Sequence, residues 1–524
     1  MSQQRTQAIA VAAPNRPSAE AALRAAELGG GAVDAAVAAA LVAMVTEPGV
    51  VSLAGGAYVT AWPAGSPDAV VIDAYVAMPG LGRPPGEVSV HEVRTEYGGG
   101  LTMAAGHGTV AVPGALAGLD LAVSRWGRLP WADVVAPAYE VARDGFRLGS
   151  AAGYNLPYER DTLFAWDTET AAALRSPDGQ WLLTGDRVVV PHLADTLARI
   201  AEYGARDLFT GELAALLVAD MAERGGAITA RDLAEFRPMI RRPLATAAGR
   251  WDLRTNPPPA IGGAVLAAML TLLGESPGPS AQAAAVQRLA DVQRRVLDVR
   301  HGVLDLADDR EAAAYTLLRD VGWREPVAPS TVHVSVVDSG GTACAITGSA
   351  GYGSGATVPR TGLWLNNCLG ELELNRGGPL APGERLLSNM TPTVGRDPDG
   401  AVLAIGSPGA DRITTALLQV LAPFADDHTS LQEAVDRPRL HVHHGGDGEP
   451  QLEAEEGLPL AGQSEATDRM VLSDGRSMAV RRHQRHSMYF GGVAAALRSA
   501  DGGLTAAADP RRAGVAATSQ PASG

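Results

Sequence analysis

The chain has 524 residues, 46% hydrophobic and 19% charged, with a formal net charge of −15 at neutral pH. That length admits a large core or several domains, and the acidic balance argues against nucleic acid or an anionic membrane surface as partner. The two cysteines, Cys344 and Cys368, show no metal-ligand spacing and are too few for a disulfide framework.

The opening segment lacks a basic stretch followed by an apolar core, so no secretory signal is expected. No apolar run is long enough to span a membrane, and a cytoplasmic protein is expected. "GGGAVDAAVAAALVAMVTEPG" predicts a tightly packed helix ending at Pro48. Its Gly29, Gly30 and Gly31 are read as packing positions, because Asp34 stands where GxGxxG needs glycine and no Walker lysine follows. "AYVTAWP" and "AVVIDAYV" predict strands, and helical patterns fill roughly 114–145, 191–223 and 281–320.

After residue 330 the texture changes. "TVHVSVVDSGGTACAIT" predicts two strands joined by a turn at Asp338–Gly341. Val332, Val334 and Val336 would share one face, and Thr331, His333 and Ser335 the other. Pairing Asp338 with Gly341 would set Thr331 opposite Gly348, beside Ser349. "TGLWLNN" and "AVLAIGSPG" predict further strands, "ITTALLQVLAPF" a helix, and residues 509–524 a loose tail. The pattern is a mixed α/β chain with a helical first part and a strand-rich second part.

Three stretches could carry chemistry. "GSPGADR" at 406–412 could present backbone N–H groups at a helix start as an oxyanion cradle, although such residues are commonly just a turn. No GxSxG elbow occurs, so a classical serine hydrolase is unsupported. His441, His443 and His444 are read as a solvated strand edge, and no metal is expected. Thr331 becomes a nucleophile if its own α-amine is freed as the base, which requires a cut between Ser330 and Thr331. A structural threonine at a strand end is the alternative.

Ordered blocks then point to a family. "GGGAVDAAVAAAL", "VAVPGALAGL", "GRLPWADVVAPAYEVARDGF", "ERGGAITARDLAEFRP", "TVHVSVVD", "GLWLNN", "LLSNMTPT", "GSPGADRI" and "DPRR" run along nearly the whole chain. In these the chain resembles the γ-glutamyltransferase family of N-terminal nucleophile hydrolases. The resemblance implies a four-layer αββα sandwich with two stacked, mainly antiparallel sheets. It implies self-cleavage into residues 1–330 and a catalytic 331–524, the two forming one structural domain. Thr331 would attack the Ser330 carbonyl and later carry the substrate acyl group. Ser349 would replace the family's second threonine, which hydrogen-bonds the nucleophile. Gly409 and Ala410 match the oxyanion pair.

The substrate side departs from the family. Tyr75 stands where an arginine clamps the glutamyl α-carboxylate, and tyrosine cannot make that bidentate charged pair. Ser388 is kept, Asn389 replaces a second serine, Cys368 replaces a glutamine, and Glu371 replaces the aspartate that holds the α-amino group. Cys368 is read as a small apolar lining residue. Arg360 and Arg385 are the candidate replacement cations, Arg385 more as a structural residue.

The expected activity is hydrolysis or transfer of an acyl group from a non-standard amide or amino-acid-derived donor to water or an amine. No cofactor is expected. One alternative is a C–C bond hydrolase removing an oxalyl group from a biosynthetic intermediate. Another is an uncleaved, non-catalytic binding homologue.

Overall fold

The structure is a computed structural model describing residues 7–84, 86–95, 101–274, 282–320, 332–371, 374–375, 380–425, 429–444, 449–460 and 469–519. Ser330 and Thr331 lie outside the described residues.

Two antiparallel sheets are stacked on each other. Thirteen strands build them: β1 (Ile9–Ala13), β2 (Gly56–Trp62), β3 (Val70–Ala74), β4 (Met239–Arg241), β5 (Leu244–Ala248), β6 (Trp251–Thr255), β7 (Val332–Asp338), β8 (Ala343–Ser349), β9 (Thr393–Arg396), β10 (Val402–Gly406), β11 (Ala494–Arg498), β12 (Leu504–Ala508) and β13 (Val515–Thr518). The first sheet runs β13-β1-β7-β8-β2-β3-β4, and the second β12-β11-β10-β9-β6-β5. Both sheets therefore take strands from either side of residue 331. The expected four-layer αββα sandwich is the architecture found.

Side-chain alternation explains the layers. On β7, Val334 and Val336 join a core shared with helices α1 (Arg16–Glu27) and α2 (Ala32–Thr46), while Val337 joins a thin core between the sheets with Ala10, Ala345 and Val402. Both faces of the central strands are buried: β7 turns Val332, Val334 and Val336 toward the helices, and the polar His333 and Ser335 of β7 meet Thr347 of β8 on the face between the sheets. α2 is buried along its whole length, and its alanines let neighbouring elements close in. A helix Gly262–Leu273 and a helix Ile413–Ala425 cover the second sheet from outside.

The N-terminus of α2 is occupied by protein carboxylates. Asp34 accepts N–H bonds from Gly31, Arg128 and Leu129, and Asp338 accepts one from Ala32. A Cβ on Gly30 would come within 2.8 Å of the Ala25 carbonyl oxygen. Gly30 is thus a packing position, as read, while Gly29 takes a positive φ of +93° in the turn after α1.

Three expectations need correction. The β7–β8 register is shifted by one residue: Val332 faces Gly348 and the Asp338 N–H bonds to the Thr342 carbonyl, because the turn holds three residues rather than two. Residues 509–519 are not a loose tail. Arg511 is fully buried between Glu455 and Asp509, and β13 pairs with β1 at the sheet edge. Buried ion pairs, invisible in a linear pattern, hold this segment. Finally, the first part is less purely helical than expected, supplying β1 to β6.

Among the described residues, no helix is long and apolar enough to cross a membrane.

Candidate active-site cleft

β8 ends at Ser349, one residue beyond the Gly348–Val332 pair. Ser349 is buried, and its Oγ accepts the Gly351 N–H at 2.9 Å. β10 ends at Gly406, and the chain then turns through Ser407–Pro408–Gly409 into the short helical turn Ala410–Arg412. Sheet stacking brings these two strand ends together. Ser349, Glu371, Gly409, Ala410, Arg412 and Arg512 line one cleft.

The loop geometry is specific. Gly409 has φ +130°, and a Cβ there would lie 2.8 Å from the Gly491 Cα. Ser407 Oγ accepts the Gly492 N–H and ties the two loops together. Ala410 has φ +53°, in the left-handed region that a side chain disfavours by about 1–2 kcal/mol. The expected N–H pair is thus displayed on strained backbone. Ala410→Gly should raise stability by about 0.5–1 kcal/mol after the greater freedom of unfolded glycine is offset. A denaturant midpoint that falls instead would show that Ala410 is not strained.

The other four expected residues sit behind the cleft wall. Tyr75, Cys368, Ser388 and Asn389 are all buried. The Tyr75 ring stacks on Tyr58 with centroids 5.9 Å apart. Its hydroxyl lies beside Ser388 and Cys368, and burial, then Cys368 and Glu371, push its pKa well up. Ser388 Oγ and Asn389 Oδ1 have no hydrogen-bond partner among the described residues. Burial, then Glu371, also pushes the Cys368 thiol well up, so it is a neutral lining group and not a thiolate. Glu371 connects the two groups: it lines the cleft and acts electrostatically on Tyr75 and Cys368.

Neither expected replacement cation reaches the cleft. Arg360 is exposed, and its backbone N–H bonds to Glu169. Arg385 pairs with Asp73 and donates to the Arg237 carbonyl. Among the described residues the cations lining the cleft are Arg412 and Arg512, which lie in the "GSPGADRI" and "DPRR" blocks but were not expected as substrate-binding residues. Arg412 is engaged with Asp411 and the Tyr489 carbonyl. Arg512 Nε has no hydrogen-bond partner among the described residues. Asn155 and Glu159, from the helix α3 (Ser150–Glu159), form a further stretch of wall that sequence reasoning missed.

Of the three histidines read as a solvated edge, His443 is partly exposed and His444 partly buried, but His441 is not on a solvated edge. His441 is buried and bonds Thr415 Oγ1 at 3.1 Å and Asp411 at 3.2 Å. Asp411, His441 and His443 offer ligand atoms within 4.8 Å of one another. Burial would raise the Asp411 pKa, but Arg412 and His441 hold it well below the usual range. The group therefore reads as a charge-balanced anchor under Ala410. His333 lies between the sheets, bonded to Thr347 and Ser335 at 2.8 Å each. Burial lowers its pKa to about 3, which keeps it neutral.

The family model described as Gamma-glutamyltranspeptidase matches residues 18–322 and 307–519. The glutathione hydrolase proenzyme of Pseudomonas aeruginosa is 30% identical over 473 residues, covering 82% of each chain. The acylase ACY 1 proenzyme of Pseudomonas sp. (strain SE83) is 30% identical over 515 residues, 92% of this chain and 88% of its own. Among solved structures, the cephalosporin acylase from Bacillus halodurans superposes with a TM-score of 0.78 at 22% identity, covering 98% of this chain and 96% of that one.

Proposed function

Because the chain belongs to the gamma-glutamyltranspeptidase family and is a hydrolase of the N-terminal nucleophile fold, we propose that it cleaves itself before Thr331 and moves acyl groups through an ester on that residue. The observation carrying this reading is the meeting of Ser349, Gly409 and Ala410 in one cleft. In the proposed reaction the freed Thr331 amine takes the hydroxyl proton as Oγ attacks the substrate carbonyl. An α-amine near its reference pKa of about 8 is partly unprotonated at neutral pH and suits this role. The Gly409 and Ala410 N–H groups stabilise the tetrahedral oxyanion, where one such donor typically contributes a hundredfold or more in rate. Ser349 orients the nucleophile. The amine product leaves with the proton, and water or a second amine then takes the acyl group.

The fragments 1–330 and 331–524 remain one structural domain in this reading, as heterodimer partners. The mixed strand origin of both sheets supports that. On the acyl side, Glu371 lines the cleft, and Tyr75, Cys368, Ser388 and Asn389 are packed behind its wall. A wall backed by a buried tyrosine suits a shorter acyl group than γ-glutamyl.

A second reading keeps the nucleophile but breaks a C–C bond next to an oxalyl group. Glu371 and Arg512 on one cleft favour it, the first for a ring nitrogen and the second for the oxalyl carboxylate. Stopped-flow assay of short N-acyl anilides tests the common mechanism. A burst of aniline approaching one per active chain, followed by a slower steady rate, is expected. Linear release, with no acyl-enzyme trapped at any pH, would refute the covalent route.

A further inference from the structure

The anchor beneath Ala410 needs only Asp411, Arg412 and His441, yet a further ring is turned toward it. His441 and His443 sit on the strand Leu440–His444, in a small four-stranded sheet apart from the two stacked ones. Alternation along a strand sends residues two apart to one face, and both rings lie against Asp411. His444, on the other face, bonds Asp298 instead. His443 Nδ1 is buried and has no hydrogen-bond partner among the described residues. It lies 3.9 Å from Asp411 Oδ2, too far for a hydrogen bond.

The hydrogen-bond directions show what the gap suits. Thr415 Oγ1 donates to the Arg412 carbonyl at 3.0 Å, so toward His441 it is the acceptor of Nδ1–H. The other ring nitrogen, Nε2, therefore faces Asp411 Oδ2 at 3.2 Å. Arg412 Nη1 takes the second carboxylate oxygen at 2.6 Å. The three residues offer ligand atoms within 4.8 Å of one another. Around a tetrahedral cation with bonds of 2.0–2.1 Å, ligand atoms stand about 3.4 Å apart, so a small inward turn of His443 completes the set.

We propose that Asp411, His441 and His443 bind one divalent transition-metal cation of the zinc class, fastening the turn that carries Ala410 to the outer strand. The cation takes the place of the proton between His441 Nε2 and Asp411, which goes to solvent. Two imidazoles and one carboxylate select Zn²⁺ or Co²⁺ over Mg²⁺ and Ca²⁺, which take oxygen ligands. The Thr415 hydroxyl is the outer partner that holds the His441 tautomer. The His443 side chain is 40% exposed, which gives the cation an entry path and leaves a fourth position for water. Two further charges face the site. Arg412 opposes a cation there, and Glu453, opposite His441 on the neighbouring strand Pro450–Glu455, favours one.

Titration with Zn²⁺ by calorimetry and with Co²⁺ by visible absorption, on wild-type and full-length Thr331→Ala proteins, tests the site apart from turnover. One cation per chain is expected, with equal affinity in the two proteins, and Co²⁺ should show the strong visible bands of a four-coordinate site. His443→Ala, at a partly exposed position that the fold tolerates, should weaken Zn²⁺ about tenfold or more, as should Asp411→Asn. Thr415→Val should cost about 10–100-fold. His444→Gln should change nothing, and Mg²⁺ and Ca²⁺ should not compete. Zn²⁺ should raise the melting temperature of the wild type but not of His443→Ala.

Absence of stoichiometric binding would make Asp411 and His441 a closed ion pair and overturn the proposal. Affinity that survives both His443→Ala and Asp411→Asn would overturn it too, as would loss of binding in His444→Gln. Weaker binding in Thr331→Ala would place the metal on the freed Thr331 amine and not here. The site does not rest on the acyl-transfer reading: a chain that binds Zn²⁺ as described and never cuts keeps the site and loses the catalysis.

Discussion

Thr331→Ala should leave the chain whole and without turnover, whereas the wild type should appear as two fragments, residues 1–330 and 331–524. The effect is all-or-none because one hydroxyl does both jobs. In maturation it attacks the Ser330 carbonyl, the peptide nitrogen leaves as the Thr331 amine, and water cleaves the resulting ester. In turnover the same oxygen needs that amine as its base. Thr331→Ser keeps a hydroxyl and should still cut, though at a different rate. N-terminal sequencing of the smaller fragment identifies the bond. A wild-type chain that stays whole and yet turns over substrate would remove the amine from the mechanism.

γ-Glutamyl donors, including glutathione and γ-glutamyl anilides, should be poor substrates or none. Their α-carboxylate must leave water to enter the site. With Tyr75 in place of an arginine, the charged clamp is replaced by the neutral Ser388 hydroxyl and Asn389 amide, and charged hydrogen bonds are worth about 1.5–3 kcal/mol each. Losing one or two implies a deficit on the order of tenfold to several thousandfold. The buried, stacked Tyr75 adds a steric reason to the electrostatic one. Steady-state kcat/KM for a γ-glutamyl anilide against short N-acyl anilides measures the deficit. Tyr75→Arg should narrow it. Efficient γ-glutamyl turnover by wild type would defeat the argument. Its loss in Arg512→Gln would then identify Arg512 as the replacement clamp.

Much of this arrangement was legible in the residues, and the failures have physical causes. The β7–β8 hairpin was readable because its inner face packs on α2, which imposes strict alternation of valines. Its register was not, because a two- and a three-residue turn share the string Asp-Ser-Gly-Gly. β1 escaped notice because "IAVAA", buried on both faces, shows no polar alternation. The hairpin of β5 and β6 is alanine-rich and polar on one side, with few β-branched residues to mark it.

Gly409 and Ala410 were reachable because they sit in a family-like block, Ser349 and Glu371 because they lie a few residues from one, and the structure brings all four to one cleft. Asn155 and Glu159 were not, since a cleft wall assembled from distant segments leaves no spacing to read, and Arg512 ends the "DPRR" block without a spacing that ties it to the cleft. His441 was misread for the same reason: its partner Asp411 is close only after the helix Ile413–Ala425 has folded back.

The central claim is that an acyl group rides on Thr331. Intact mass spectrometry after rapid mixing with a short N-acyl anilide and acid quench tests it directly. The fragment beginning at Thr331 should gain the mass of the acyl group less one hydrogen. Peptide mapping should place the gain on Thr331, and the adduct should vanish on standing or on adding an amine. An adduct elsewhere, or turnover with neither fragment ever gaining mass, would contradict the account.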